Sequence, residues 1–187
     1  MKGWTSKMKL DKYAVGQRYA KALFSLAEQE QQFESIHDEI QALETIFNDN
    51  PKLGTVLTDT TLSGLKQRNL LESLSNDFST LMQHFLSLVF DYQRMAEMPY
   101  IIATYEDLYD QHKGIAHAKV TSAVALDDDQ LAKISQSFAK REGLNEVLIE
   151  SVVDPDIIGG IVLESNHKVI DGSVKHGLDQ IKSLLLK

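Results

Sequence analysis

The hydrophobic pattern of this chain changes period once, near Gly114, and that change limits the folds open to it. Before Gly114 apolar residues recur every three or four positions, the spacing of one helix face. After it the chain alternates. Ala116, Ala118, Val120, Ser122, Val124 and Leu126 fall on one side, and His117, Lys119, Thr121, Ala123 and Ala125 on the other. Alternation with β-branched residues predicts a strand. A helical part followed by a part that mixes strands and helices is an α+β organisation in two domains. With 187 residues the chain can form one large domain or two small ones. At that size roughly 70% of the unfolded surface is buried, so neither metal nor disulfide is needed to hold the fold.

The helical part reads as six helices. Residues 1–12 are expected to be a flexible tail, with Met8 as an alternative start. The first helix is predicted over 13–29. Val15, Tyr19, Ala22 or Leu23, and Leu26 share one face, and Ala20, Phe24 and Ala27 make a second stripe beside it. Its small residues, Ala14, Ala20, Ala22 and Ala27, let another helix come close. A second helix over 32–48 carries Phe33, Ile36, Ile40, Leu43 and Phe47. A short third follows Pro51. Thr60 or Thr61 is expected to cap a fourth, which runs to about Ser75 with Leu62, Leu65, Leu70, Leu71 and Leu74. The fifth, over 79–96, has Met82, Phe85, Leu86, Leu88, Val89 and Tyr92 around more than half of its circumference, which predicts a central helix. At about 1.5 Å per residue it would span roughly 27 Å. The sixth, over 100–113, ends at Gly114 in the manner of a C′ glycine. Each of Pro51, Pro99 and Pro155 is expected at a boundary. Six helices with short loops predict an antiparallel six-helix bundle over 13–114.

Residues 115–187 read as a small sheet domain with two helices. Asp127-Asp128-Asp129 opens a helix whose buried stripe is Leu131, Ile134 and Phe138, and Gly143 ends it. A second strand covers 147–153. Then comes Asp154-Pro155-Asp156, a turn former, followed by Gly159-Gly160, which permits backbone that a Cβ would block. The apolar run Ile161 to Leu163 and the return Lys168 to Ile170 predict two strands about a tight polar hairpin. Asp171-Gly172 turns the chain, and Ser173 caps a last helix with Leu178, Ile181, Leu184 and Leu185 on one stripe.

Charge and composition exclude several classes of function. The net charge is −8, from 19 cations against 27 carboxylates. Divided at Gly114, both parts are acidic, with 11 cations against 16 carboxylates and 8 against 11. Phosphate backbones and anionic lipid repel such a body, so nucleic-acid and direct membrane binding are disfavoured. No apolar run approaches the ~20 residues of a membrane span. There are no cysteines, which rules out thiol chemistry. Gly160 leads into a strand rather than a helix, with no lysine before Lys168, so the glycine pair reads as a turn and not a phosphate loop. Histidines 37, 84, 112, 117, 167 and 176 form no helical ligand pair. Glu106-Asp107 with Asp110, and Asp127 to Asp129, read as solvated carboxylates and a helix start. Asp171-Gly172-Ser173-Val174-Lys175 lacks the second glycine of a nucleophile elbow. No catalytic centre assembles. The positive signal is the apolar surplus on the first and fifth helices. Those faces are either plain core or the walls of a groove for an amphipathic partner helix.

The ordered string from Asp154 through Gly159-Gly160 to Val169-Ile170-Asp171-Gly172-Ser173 resembles the carboxy-terminal signature of the delta subunit of bacterial F-type ATP synthase, a family related to the mitochondrial oligomycin-sensitivity-conferring protein. Arg18 to Phe24 and Thr121 to Leu126 fit the same family, so the resemblance covers nearly the whole chain. It implies a non-catalytic peripheral-stalk subunit with no cofactor, peripheral on the cytoplasmic face of the cell membrane and reaching it only through the complex. In that family the bundle grips amino-terminal helices of the F1 alpha subunits, and the carboxy-terminal domain meets the carboxy-terminal helices of the b subunits. Carried over, partner binding falls on Val15, Tyr19, Ala22 and Leu26, and on Leu88 and Tyr92 of the facing helix. Gly159, Gly160, Asp171, Gly172 and Ser173 serve the fold. Ala125, where the family often has proline, and Gly177, where a bulkier residue is frequent, depart from the pattern. A cytosolic helical adaptor for some other amphipathic helix is the alternative.

Overall fold

The computed structural model describes the backbone of residues 3–59, 61–165 and 168–185, and the side chains of residues 12–59, 61–165 and 168–183. Among these it holds eight α-helices and one four-stranded sheet, an α+β fold. The chain divides into two compact units, Met1–Tyr109 and Asp110–Lys187.

The first unit contains α1 (Gly3–Gln29), α2 (Phe33–Asp49), α3 (Leu53–Leu57), α4 (Gly64–Ser75), α5 (Thr80–Asp91), a 3-10 turn (Met95–Glu97) and most of α6 (Met98–Lys113). Helix α1 starts at Gly3, so the stretch read as a tail is helical. No proline or internal glycine stands between Gly3 and Tyr13 to stop a helix there. The inner stripe of α1 is Gly16, Ala20, Leu23 and Ala27, all buried. A Cβ built on Gly16 would come within 2.9 Å of the Tyr100 carbonyl oxygen, so a bare glycine is what lets α1 and α6 cross this closely. Ile36, Ile40, Leu43 and Phe47 of α2 are buried as one face, as their spacing requires.

Two further elements of the first unit differ from the expectation. The N-cap position of α4 is Ser63, whose side chain makes no capping hydrogen bond, and not Thr61; the Thr61 amide and hydroxyl instead donate to Asp59 Oδ1 at 2.9 and 2.8 Å, and Thr60 lies outside the described residues. Of the five leucines of the expected stripe only Leu71 is buried, and Leu65 is 77% exposed. The fifth helix stops at Asp91 instead of Ala96, which shortens it to about 18 Å. It stops because Gln93 takes a left-handed φ of 56°, with its N–H donating to Phe90 O and the Arg94 N–H to Val89 O. This is the hydrogen-bond pattern that usually employs glycine, so glutamine hid it. Nor is α5 central: Met82, Leu86 and Val89 are buried, while Leu88 and Tyr92 are exposed. Pro99 falls in the first turn of α6, where its missing N–H costs nothing.

The second unit contains β1 (Ile115–Ser122), α7 (Asp128–Glu142), β2 (Glu146–Val153), a 3-10 turn (Pro155–Ile157), β3 (Ile161–Ser165), β4 (Lys168–Asp171) and α8 (Val174–Leu185). The strand order is β2-β1-β3-β4. β1 and β2 are parallel and joined through α7, as a parallel pair demands, and the other pairs are antiparallel. Val120, opposite Leu163, which is itself opposite Ile170, marks the register of the core face. β1 ends at Ser122, short of the expected Leu126, as the Ser122 hydroxyl donates to Val124 O and bends the chain. Asp127 forms a capping box with Gln130 at the start of α7, and Gly143 closes that helix at φ 70°. Asn166 and His167 of the expected hairpin, and the side chains of Leu184 and Leu185, lie outside the described residues.

The motif after β2 is a backbone crossing. Gly160 has φ 79°, and a Cβ built on it would overlap the Gly172 carbonyl oxygen. The Gly172 N–H donates to Ile161 O and the Val174 N–H to Gly159 O, which tie the start of α8 to the start of β3. Asp171 Oδ1 accepts from the Ser173 N–H at 2.9 Å, and Ser173 Oγ accepts from the His176 N–H at 3.1 Å, so Ser173 caps α8.

These contrasts are measurable by thermal and denaturant unfolding. Gly160→Ala combines left-handed strain with an overlap against backbone and is expected to cost about 3 kcal/mol or more. Gly143→Ala has the same strain but open space, and should cost about 1–2 kcal/mol. Gly177→Ala, inside α8 with nothing near its Cβ, should stabilise by about 0.5–1 kcal/mol. Hydrogen bonds from the Ser173 hydroxyl and amide, then the nearby His176, hold the Asp171 carboxyl below its ordinary value of 3.8. A depressed folded pKa gives stability that is full above the ordinary value and lost as pH falls through the lower one. Asp171→Asn is therefore expected to be less stable than the parent near neutrality, with the two curves converging in acid.

Candidate functional site

The outer stripe of α1 is only partly covered by the core, against which Tyr19 packs. Tyr19 is half-buried, while Ala22 and Leu26 are exposed, Leu26 at 42%. They open onto a groove of about 720 Å³ whose other wall is α5. From α1 it takes Tyr19, Ala22, Leu23 and Leu26, and from the α1–α2 turn Glu30 and Gln32; from α5 and its cap, Ser79, Thr80, Leu81, His84, Phe85 and Leu88. Between Tyr19 and Glu30 the wall runs for about 16 Å, three helical turns. The floor is apolar and one end is polar.

Neighbouring elements fix both walls. Helix α1 ends where Gln31 takes φ 54° and the Gln32 N–H donates to Ala27 O at 2.9 Å. Phe24 then meets Phe33 at 5.1 Å and Tyr105 at 5.9 Å between ring centres, which holds α1 against α2 and α6. The start of α5 is clamped to α2: Glu39 accepts from the Ser79 N–H at 2.6 Å and from its hydroxyl at 2.9 Å. Ser79 Oγ in turn accepts from the Met82 N–H. A charged acceptor bound twice is among the stronger local hydrogen-bond arrangements, so this end of the groove is set before any partner arrives.

Of the residues singled out from sequence, the structure brings together Tyr19, Ala22, Leu26 and Leu88. Val15 and Tyr92 do not line the groove; Val15 is half-buried on α1, and Tyr92 caps α5 at 67% exposure. Leu81, His84 and Phe85 were missed. Their spacing with Leu88 is that of one α5 face, a signal masked by the apolar residues on the other faces. Glu30 and Gln32 carry no such signal, since only the α1–α2 turn places them there.

Several titratable groups of the first unit and its junction strand pair with one another. The Tyr109 hydroxyl donates to Glu34 at 2.6 Å, and His37 stacks on the Tyr109 ring at 3.7 Å and faces Glu106. Burial, then the Glu34 bond and charge, raises the Tyr109 phenol above its ordinary range. Burial pushes the Tyr105 phenol up to about 12, with Glu106 and Glu34 adding to it. Asp110 pairs with His117 at 2.9 Å, so the acidic run of α6 is divided between two histidines. Among the described residues no three His, Cys, Asp or Glu side chains gather to hold a metal ion. Among the described residues the buried Tyr105 hydroxyl has no hydrogen-bond partner. Tyr105→Phe is therefore expected to be neutral or to stabilise by about 1 kcal/mol in denaturant unfolding.

Residues 15–185 match the family described as ATP synthase delta (OSCP) subunit. The chain is 99% identical over 180 residues to the ATP synthase subunit delta of Latilactobacillus sakei subsp. sakei (strain 23K), covering 96% of this chain and 100% of that one. To the ATP synthase subunit delta of Enterococcus faecalis (strain ATCC 700802 / V583) it is 39% identical over 180 residues, again 96% and 100% of the two chains. Among solved structures, a chain of the Toxoplasma gondii mitochondrial ATP synthase hexamer has the same fold, with a TM-score of 0.67 at 18% identity, over 92% of this chain and 97% of that one.

Proposed function

The chain belongs to the ATP synthase delta (OSCP) family, and from that premise we propose how this peripheral-stalk subunit of F-type ATP synthase works. It is a non-catalytic tether. The first unit, a six-helix bundle, grips the amino-terminal helix of an F1 alpha subunit in the α1–α5 groove. The second unit holds the carboxy-terminal helices of the b subunits. Together they stop the catalytic head from turning with the rotor, so that proton flow is coupled to ATP synthesis. No helix among the described residues is long and apolar enough to cross a membrane. In this reading the chain sits on the cytoplasmic face of the membrane through its protein partners.

The observation that carries the reading is the groove itself. Its apolar floor of Leu23, Leu26, Leu81, Phe85 and Leu88 over three turns suits the i, i+3, i+4, i+7 face of an amphipathic helix. Glu30 at the rim suits a cation on that helix. A joint under torque needs slow release. A nanomolar joint corresponds to about −12 kcal/mol, within reach of a buried aromatic and aliphatic cluster. Attachment at two places raises the effective concentration at each.

Tyr19→Asp and Leu88→Asp each place a carboxylate on the floor or its edge without touching the inner stripe of α1. Both are expected to keep the parent circular dichroism and to lose tenfold or more in affinity for an alpha amino-terminal peptide. Unchanged calorimetric affinity in both variants would remove the groove from the account.

A further inference from the structure

The interface of α2 and α6 holds a histidine among carboxylates. The side chain of His37, on α2, is 14% exposed, and its Nδ1 lies 3.4 Å from Glu106 Oε2 of α6. The imidazole stacks flat on the Tyr109 ring, with centres 3.7 Å and planes 1° apart. The other nitrogen, Nε2, is 3.1 Å from the amide nitrogen of Gln41, one turn further along α2. Both ring nitrogens and one ring face therefore meet a defined neighbour.

The charges nearest to it are of one sign. Glu34 and Asp38 neighbour His37 on α2, and Glu34 accepts from the Tyr109 hydroxyl. Glu106 faces it from α6. The cations of α6, His112 and Lys113, stand in its last turn, about two turns from Glu106. Helix α1 reaches this region with Phe24, set against Tyr105. The two phenols respond to the same field. Burial is the first cause that raises both; the charges of Glu34 and Asp38 then add to it at Tyr109, and those of Glu106 and Glu34 at Tyr105. A field that opposes a phenolate favours an imidazolium. The Tyr109 ring also attracts a cation held over its face. Burial of the imidazole works against the charge. It is outweighed by a carboxylate in near contact, itself 25% exposed and so little screened by salt. Gln41 serves both states: neutral His37 accepts at Nε2 from the Gln41 N–H, and charged His37 donates there to the Gln41 oxygen once the amide turns over.

We infer that His37 is a pH-sensitive brace between α2 and α6, which binds its proton more firmly in the folded chain than in the unfolded one, so that mild acidification tightens this interface. A histidine of that kind adds stability that is complete below its unfolded value, about 6.5, and is lost as pH rises through the folded one. Helix α1 rests on the same two helices through the contacts of Phe24 with Phe33 and Tyr105, so the α1 wall of the groove is held more firmly as pH falls. The brace does not depend on what the groove holds.

The test is a histidine titration of the full chain, labelled at histidine and followed by NMR from about pH 5 to about pH 8. The His37 signal is identified by its contact with the Tyr109 ring and by its loss in His37→Gln. Its midpoint is expected above about 6.5 and is expected to fall in Glu106→Gln, which keeps the side-chain size. In denaturant unfolding, the parent should exceed His37→Gln by more near pH 6 than near pH 8. A His37 midpoint at or below about 6.5 overturns the inference. A midpoint that does not move in Glu106→Gln, or a difference between parent and His37→Gln that is the same at both pH values, overturns it too. If His37→Gln does not fold, the titrations of the parent and of Glu106→Gln decide the matter alone.

Discussion

The close crossing of α1 with its neighbours, made possible by Gly16, Ala20 and Ala27, is the interaction on which the rest of the first unit depends. A helix with two apolar stripes can turn only one of them inward. Small residues choose which, because a stripe without bulk lets backbones approach until side chains from α2 and α6 close over it. Leu23 and Phe24 fill the remaining space, and the aromatic contacts of Phe24 with Phe33 and Tyr105 lock the choice. Ala22 and Leu26 are then left outside, with Tyr19 half-buried at the edge of the core. The exposed stripe follows from the packing of the buried one.

The same geometry explains why α5 is not a central helix. Its buried residues, Met82, Leu86 and Val89, meet the core from one side. The clamp between Glu39 and Ser79 holds its first turn on α2 instead of letting it slide toward α1. Closing the groove would bury Leu26, Leu88 and Phe85 more fully, each worth about 1.5–3 kcal/mol if wholly removed from water. It would also strain the clamp and press Glu30 and His84 onto apolar surface, where an unpaired polar group costs a comparable amount. A partner helix supplies the same burial without that cost.

Much of this was legible in the sequence. The change of period at Gly114, the α2 face, the Asp127 start, the permissive Gly159-Gly160 pair and the Ser173 cap could be read because each has a local signal that the structure uses; the crossing of Gly160 with Gly172 could not. The wide apolar surface of α1 could be read as well. What could not be read depended on partners distant in sequence or on unusual residues. Gln93 ends α5 with a conformation that glycine normally takes, so the helix looked longer than it is. Helix α4 begins after Ser63 and not after Thr61, whose amide and hydroxyl are bonded to Asp59. The polar end of the groove, Glu30 with Gln32, exists only because Gln31 turns the chain there.

The central claim is that the chain acts by holding a helix between α1 and α5. Hydrogen exchange of the full chain, alone and saturated with an alpha amino-terminal peptide, tests it most directly. The account predicts added protection concentrated in residues 19–30 and 79–88, with β1 to α8 unchanged. Protection confined to other elements, or none at saturation, would contradict it.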